Sequence, residues 1–479
     1  MHGVVARDWR DDRIAELERQ VATLTASLAA ALAHIAKLEE QLRRSSRNSS
    51  QPPSSDGPAT PLRNKREPSG RSPGAQEGHE KHERPLVPSD KVDKRVVLRP
   101  KCCRVCCTAL VGDDPAPLRH QVSELPKIEP IVTEYEMHSL DCRKCGAVTS
   151  ATLPAGVPTG AFGPSVVAVI ATLMGVFRLS KRAVPELMRD MFGLSISVGA
   201  VVGCQQIASK ALAIPVDDAK KFVVEAPVKH ADETGWREAR CKAWLWTVVT
   251  PMVTVFMVHT RRNADAARAI LGRAHGVLVS DRHGAYNWWS ELHHQFCWAH
   301  LIRDFRKIAE RGYESERIGN ALLDEAARMF TWWHRVRDGT LSRATFRVYM
   351  RSVQCRTEAL LAEGAAVLHP TTAKTCANLF KHRLALWTFV RIEHVEPTNN
   401  TAEHKVRHGV LYRKTSYGTH SEEGSRFVER ILSVHATLRQ QRRNVLDFVR
   451  DACRAALLGT APPSLLPTAA TGSRYARAA

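Results

Sequence analysis

Three acidic residues, far apart along the chain, are the side chains best suited to chemistry. Asp232 lies in VKHADETGW, Asp281 in LVSDRHGAYN and Glu403 in NNTAEHK. A carboxylate inside an apolar, strand-like run is costly unless a positive charge meets it. We therefore predict that Asp232 binds a metal ion together with two acids from further down the chain. Three convergent carboxylates suit hard cations such as Mg²⁺, and two such ions together can promote an in-line displacement at phosphorus.

The two aspartates also have ordinary structural explanations. Asp232 could pair with Arg237 or Lys229 near the end of its strand, and Asp281 could cap a turn before Gly284.

Glu403 could be an ordinary exposed helix residue, and Glu393 and Glu396 are nearby competitors for its role. Four cations and no acid follow Glu403 within eleven positions. This pattern favours a phosphate backbone that passes a metal site, with a solvated charged face as the alternative. The four cations are Lys405, Arg407, Arg413 and Lys414.

Cysteine spacing predicts a second metal site, for zinc. Two CxxC pairs, separated by 35 residues, fit a tetrahedral four-thiolate site of ribbon type, with buried free thiols as the alternative. Cys102 and Cys107 flank the first pair, so its register could shift by one residue. The predicted ligands are Cys103, Cys106, Cys142 and Cys145.

A histidine-rich stretch at residues 293–300 contains Cys297 and His300 and resembles a further zinc site. We interpret Cys297 instead as a buried structural thiol, because it lies in an expected core strand.

The elements around the acids predict an α/β fold. From residue 222 the sequence indicates three successive strands, a helix and a fourth strand that ends at Asp281, and residues 294–300 could form a fifth. Three antiparallel strands, a helix and a parallel strand are the order of a ribonuclease-H-like sheet. The first and fourth strands are neighbours in that sheet, so Asp232 and Asp281 are expected to converge. A helix beginning near Asn400 would then bring in Glu403.

The remaining segments predict a modular chain. Heptad positions between residues 10 and 44 are apolar at both seams, which indicates a coiled coil and self-association, with a lone amphipathic helix as the alternative. The helical segment before the core matches a helix-turn-helix unit only loosely, and a plain packing module is the alternative. One long helix is expected from about Ser425 to Leu458. The predicted divisions are a coiled coil (10–44), a disordered linker (45–94), a zinc-finger-like domain (95–155), a helix-turn-helix-like segment (160–215), the first part of the core (222–300), a helical insertion (301–395), the final part of the core (396–458) and a disordered tail (459–479).

The overall composition indicates which class of partner the protein binds. The formal charge is +20 and the pI about 9.7, which favours a polyanion such as nucleic acid. No apolar run reaches membrane-spanning length, and acids and arginines fill the N-terminal region where a signal peptide would lie. Twelve cysteines without an export signal indicate reduced thiols and a cytoplasmic location.

These motifs, in this order, resemble the transposases of the insertion sequence 66 family, which are bacterial DDE-type enzymes. The resemblance covers nearly the whole chain. It rests on the N-terminal heptads with RNSSQPPSSDG, the paired CxxC knuckles, HADETGW, LVSDRHGAYN, CWAHLIRDF and NNTAEHKVRHGVLYRKTSYG.

The resemblance implies that Asp232, Asp281 and Glu403 are the catalytic triad of a ribonuclease-H-like core with a helical insertion. It also implies cleavage and strand transfer at insertion-sequence ends, and work with small accessory proteins of the same element. A nuclease or resolvase without strand transfer, and a non-catalytic zinc-ribbon DNA-binding regulator derived from a transposase, are the rival functions.

Overall fold

The computed structural model describes residues 9–43, 49–50 and 85–467. The chain divides into two units, and each is treated by itself. The smaller unit comprises Pro61–Val132 and Met191–Gly193; the larger comprises Met1–Thr60, Thr133–Asp190 and Leu194–Ala479.

The regular elements of the described residues lie almost entirely in the larger unit. The helices are α1 Trp9–Arg43, α2 Pro164–Gly175, α3 Ala183–Phe192, α4 Val198–Ala211, α5 Ala213–Glu225, α6 Ala264–Leu271, α7 Trp298–Ala309, α8 Tyr313–Arg337, α9 Arg343–Ala365, α10 Pro370–Lys381, α11 Thr388–Arg391, α12 Asn400–Ser416, α13 Glu422–Gln440 and α14 Val445–Leu458. The strands are β1 Ser139–Asp141, β2 Val148–Ser150, β3 Val228–Glu238, β4 Cys241–Val249, β5 Thr254–His259, β6 Val277–Ser280 and β7 His294–Phe296.

Five strands form one mixed sheet in the order β5-β4-β3-β6-β7, and β1 and β2 form a separate hairpin. Strand β3 is central: it runs antiparallel to β4 and parallel to β6, while β7 continues the parallel side. The predicted α/β class is confirmed. The parallel pairing sets His230 beside Val279, so strands that are almost 50 residues apart in sequence advance in step.

Strand β5 lies at the edge of the sheet, where a strand has unpaired backbone groups. Side chains of α13 satisfy these groups. Ser433 Oγ accepts from Phe256 N at 2.9 Å, and Thr437 Oγ1 accepts from Thr254 N at 3.0 Å. One turn before Ser433, the Glu429 carboxylate accepts from Val258 N. Because these three side chains recur every four residues, they lie on one face of α13 and follow the alternate N–H groups of the strand.

Helix α12 packs across β3 and β4 and is close to the sheet at Gly409. A Cβ atom at this position would lie 2.2 Å from Leu245 Cδ2, so a larger residue would push the helix away. The helix ends at Ser416, and the next residue, Tyr417, caps it with a left-handed φ of 59°.

Helices α7 to α11 form the insertion between β7 and α12, and they bury a core of their own. Trp298, Trp387 and Phe389 are at most 2% exposed within it. Trp298 N donates to Pro397 O at 2.9 Å, so the segment begins and ends at the same place.

Helices α2, α4, α13 and α14 pack against one another. Helix α4 starts at an N-cap, Ser197, and buries residues such as Val201 and Ala208 in this packing. DNA recognition by the predicted helix-turn-helix-like segment, residues 160–215, stays a prediction.

Three local predictions differ from the structure. Residues 222–225, assigned to the first strand, are helical and end α5. The expected single helix from Ser425 to Leu458 is two helices, because Arg442 adopts a left-handed φ of 56° and Asn444 caps α14 through its side chain. The first residues after Gly459 are also ordered, since Leu465 is 1% exposed.

The predicted coiled-coil segment forms the single helix α1, and the described apolar seam residues face solvent, with Leu24 69% exposed. Its self-association stays a prediction. Most of the predicted linker, and the tail beyond residue 467, lie outside the described residues.

Among the helices that the structure describes, none is both long enough and apolar enough to cross a membrane.

Candidate active site

Asp232 lies near the middle of the central strand β3. Its Oδ1 atom accepts from Glu233 N at 2.9 Å. Burial, followed by the negative charges of Glu233, Asp281 and Glu403, raises the pKa of Asp232 well above its usual value. The side chain is therefore costly to ionise unless a cation approaches it.

Asp281 directly follows β6. The last β3–β6 pair is His230 with Val279, and Asp232 and Asp281 each lie two residues further along, so they are level on neighbouring strands. Asp281 Oδ1 accepts from His283 N at 3.0 Å, which orients the carboxylate within the turn after the strand. The expected convergence of these two acids is present.

Glu403 lies in the first turn of α12, which begins at the predicted Asn400. The preceding residue, Asn399, is 1% exposed and joins the helix to β3. Its Nδ2 atom donates to Ala231 O at 2.7 Å, next to Asp232. Because Nδ2 is the donor of this amide, its Oδ1 atom accepts a hydrogen bond from His230 Nδ1 at 3.1 Å. This amide therefore brings the third acid to the other two.

His300 and Cys297 also reach this point. One ligand atom from each of Cys297, His300 and Glu403 lies within 4.8 Å of the others, and His300 Nδ1 is 3.5 Å from Glu403 Oε1. Cys297 is buried as expected, but it follows β7 at the start of α7, where its Sγ atom accepts from Asn399 N at 3.1 Å. The sequence signal for this cluster is the CxxH spacing of Cys297 and His300 in CWAH. The spacing did not lead to a prediction, because Cys297 was interpreted as a structural thiol.

The site suits a cation. Glu403 Oε1 and His300 Nδ1 are both buried without a hydrogen-bond partner among the described residues. Three carboxylates gathered in one place are the donor set that Mg²⁺ prefers, and a bound cation would offset the repulsion that raises the pKa of Asp232.

A second group of side chains, Arg262, Tyr286 and Glu233, contacts the acids. Arg262 contacts Glu233 Oε1 at 2.7 Å and reaches to 3.9 Å from Asp281 Oδ2. Tyr286, fully buried, donates its hydroxyl to Glu233 Oε2. Burial and the charge of Asp281 raise the pKa of Glu233, while Tyr286 and Arg262 act in the opposite direction. Arg262 thus links the buried glutamate to one of the three acids.

The structural alternative for Asp232 does not occur. Within the described residues Asp232 forms no ion pair with Arg237 or Lys229. Lys229 is completely buried, donates to Val224 O at 2.6 Å, and has a pKa lowered by burial to about 8.

The four predicted DNA-binding cations lie in different surroundings along α12. Arg407 and Lys414 are exposed. Lys405 is half-buried, and burial lowers its pKa. Arg413 donates to the backbone oxygen of Gly235 in β3, so part of its role is to hold the helix on the sheet. Nucleic-acid contact by these residues stays a prediction.

The first CxxC pair, in the smaller unit, forms a tight turn. Cys103 N donates to Thr108 O at 2.8 Å, and Cys107 N donates to Cys103 O at 3.0 Å. Val105 N points to Cys103 Sγ at 3.4 Å. Hydrogen bonds from Thr108 lower the pKa of Cys106 to about 7, which favours its thiolate.

The second pair, in the larger unit, forms the same turn by itself. Cys142 N donates to Ala147 O at 2.9 Å, and Gly146 N donates to Cys142 O at 2.8 Å. Amides of Cys145 and Lys144 lower the pKa of Cys142.

The matching turns bear on the open register. Gly146 has a left-handed φ of 73°, and Cys107 takes the equivalent conformation with a φ of 59°. Cys107 therefore occupies the glycine position after a knuckle, which supports Cys103 and Cys106 as its ligands.

The family model described as Transposase IS66 family matches residues 159–427, more than half of the 479 residues. A model described as Family of unknown function (DUF6444) matches residues 7–85. A search of curated proteins found no match.

Proposed function

The chain belongs to the IS66 family of transposases, and from this premise we propose that Asp232, Asp281 and Glu403 are its catalytic residues. Family membership implies DNA binding and the use of divalent metal in general. The finer proposal is cleavage at the ends of an insertion sequence, followed by transfer of the cut strand to target DNA.

The observation that carries this proposal is the convergence of three acids from three separate elements. Asp281 and Glu403 each raise the pKa of Asp232, although 49 and 171 positions separate them from it in the chain. A fold without a use for negative charge would rarely collect three carboxylates at such cost. The order of the mixed sheet, with the acids at neighbouring strands, further supports a ribonuclease-H-like core.

In this mechanism Asp232, Asp281 and Glu403 would hold two Mg²⁺ ions, which would supply activation of the attacking oxygen and stabilisation of the leaving oxygen. Asn399 fixes the helix that presents Glu403, and Arg262 restrains Asp281. The same pocket takes water as the nucleophile for cutting and then the exposed 3′ hydroxyl for joining. No covalent protein–DNA intermediate is needed, so none of these side chains has to act as a nucleophile.

Zinc and self-association complete the proposal. The prediction of a structural Zn²⁺ ion at Cys103, Cys106, Cys142 and Cys145 rests on the spacing of the two CxxC pairs, and the turn of each pair by itself favours its thiolates. Helix α1 would join copies of the chain through its exposed apolar seam.

The test replaces Glu403 with glutamine, which keeps the size of the side chain and removes its charge. We expect Glu403→Gln to abolish Mg²⁺-dependent cleavage of element ends and to leave DNA binding intact. The matched control is Glu393→Gln, because Glu393 is an exposed acid just before the same helix. Cleavage that persists in Glu403→Gln, or is lost equally in Glu393→Gln, would show that the triad is wrongly assigned.

Strand transfer is tested separately with pre-cut ends and target DNA. Joined products support a transposase that completes both steps, whereas hydrolysis alone favours the nuclease alternative.

A further inference from the structure

A basic cavity lies away from the acidic site, where the end of α2 faces the turn between α13 and α14. Its volume is about 680 Å³. Three arginines line it from the side of the turn, and Phe177 lines it from the opposite side. The left-handed φ of Arg442 makes the turn that gathers the arginines, which are Arg439, Arg442 and Arg443.

The positive charge of this cavity is not neutralised by neighbouring acids. In the described part of the chain, the side chains of Arg439 and Arg442 form no ion pair. Arg443 has neutral partners only: it donates to Gln441 Oε1 at 2.9 Å and lies over the Phe448 ring at 5.4 Å. The nearest acid in sequence, at position 447, pairs with an arginine of its own helix.

The basic surface continues from the cavity towards α12, the helix that carries Glu403. The rings of His408 on α12 and His435 on α13 are 5.3 Å apart, which brings the two helix faces together. Lys405 is one turn before His408, and Arg439 is one turn after His435.

The histidines report the sign of the charge around them. Burial lowers the pKa of both rings, that of His435 to about 4. Lys405 and Arg178 lower both pKa values further, and Arg439 adds to this at His435. The named charges that act on the two rings are therefore positive.

We propose that this cavity and the basic face leading to it bind phosphate groups of the double-stranded DNA backbone, outside the acidic site. Arginine is suited to phosphate because its planar guanidinium forms paired hydrogen bonds. The inference rests on the proposed function, and it assigns part of the DNA grip to the junction of α12, α13 and α14. Since phosphates carry no sequence information, these contacts would position the duplex rather than select it.

The experiment uses the full chain with Arg439→Gln and Arg442→Gln combined. Both side chains are exposed, so their removal should leave the fold intact. Fluorescence anisotropy with a labelled random-sequence duplex gives affinity over a series of salt concentrations. Two lost phosphate contacts should reduce the slope of log affinity against log salt by about 1.8, since each contributes about 0.9.

The matched control is Arg337→Gln with Arg351→Gln, two exposed arginines of the helical insertion, which makes the same change in net charge. The control should keep the wild-type slope. An unchanged slope in the cavity variant, or an equal reduction in both variants, would overturn the inference.

The two proposals fail in different ways. Single-turnover cleavage at saturating DNA should be retained in the cavity variant, because the acidic site is untouched. A wild-type protein that binds DNA and never cuts it would refute the proposed function alone. A wild-type protein that cuts DNA while the cavity variant binds like wild type would refute this inference alone.

Discussion

Replacement of Asn399 by alanine should separate the position of Glu403 from its chemistry. Asn399 is not one of the proposed catalytic residues, but its amide joins the start of α12 to β3 beside Asp232. Asn399→Ala removes the donor to Ala231 O and the acceptor for His230 Nδ1.

The expected magnitude follows from these two bonds. Both partners are buried, and each buried polar group left without a partner costs about 1–3 kcal/mol. The start of α12 should thus lose about 2–6 kcal/mol of local stabilisation. A catalytic group displaced by about 1 Å can cost on the order of 100-fold in rate, so we expect cleavage to fall by about that factor.

Single-turnover cleavage under saturating Mg²⁺ and DNA measures the rate, and urea unfolding measures global stability. Ser342→Ala is the control: it removes the N-cap of α9 in the insertion, which destabilises the protein by about 1 kcal/mol without touching the acids. It should cut at the wild-type rate. A folded Asn399→Ala protein that also cuts at the wild-type rate would refute the view that this amide positions Glu403.

Three further outcomes follow from contacts elsewhere in the molecule. Ser433→Ala leaves the buried Phe256 N–H without its partner and should lower the free energy of unfolding in urea by about 1–3 kcal/mol; an unchanged value would mean that α13 does not satisfy the edge of the sheet. Burial lowers the pKa of His294 to about 3 and of His435 to about 4 from 6.5, so protonation favours the unfolded chain. Stability should be fully present above pH 6.5 and fall towards pH 4 by about 1.4 kcal/mol per pH unit for each histidine, and flat urea midpoints over this range would contradict it. Cys142→Ser should reduce the zinc bound per chain in metal analysis, and an unchanged content would exclude this thiolate as a ligand.

The placement of Asp232 and Asp281 on neighbouring strands was predictable because it depends on strand order, whereas their level position depends on the register that pairs His230 with Val279. Alternating and apolar runs identify the strands, and a helix between two of them requires a parallel crossover. The start of α12 was predictable for a local reason, since the paired asparagines Asn399 and Asn400 mark it.

Other features depend on contacts between distant residues, which a sequence pattern does not contain. The amide of Asn399 finds Ala231 O across 168 positions, and His300 meets Glu403 only because the insertion closes on itself. Arg413 looked like an exposed cation of a basic helix, but it donates to the sheet. The turn at Arg442 was not predicted, because the apolar periodicity continues through it and no glycine or proline marks it.

The hydrogen bond from Trp298 to Pro397 has a consequence for how this protein can change over time. About a hundred residues lie between Trp298 and Pro397, which this hydrogen bond joins. The distance between Asp281 and Glu403 therefore depends on where the two ends of the insertion meet and not on the length of the insertion. Helices α8 to α10 of this insertion could be lengthened, exchanged or lost, and the geometry of the acids would be inherited unaltered as long as the two ends of the insertion still meet.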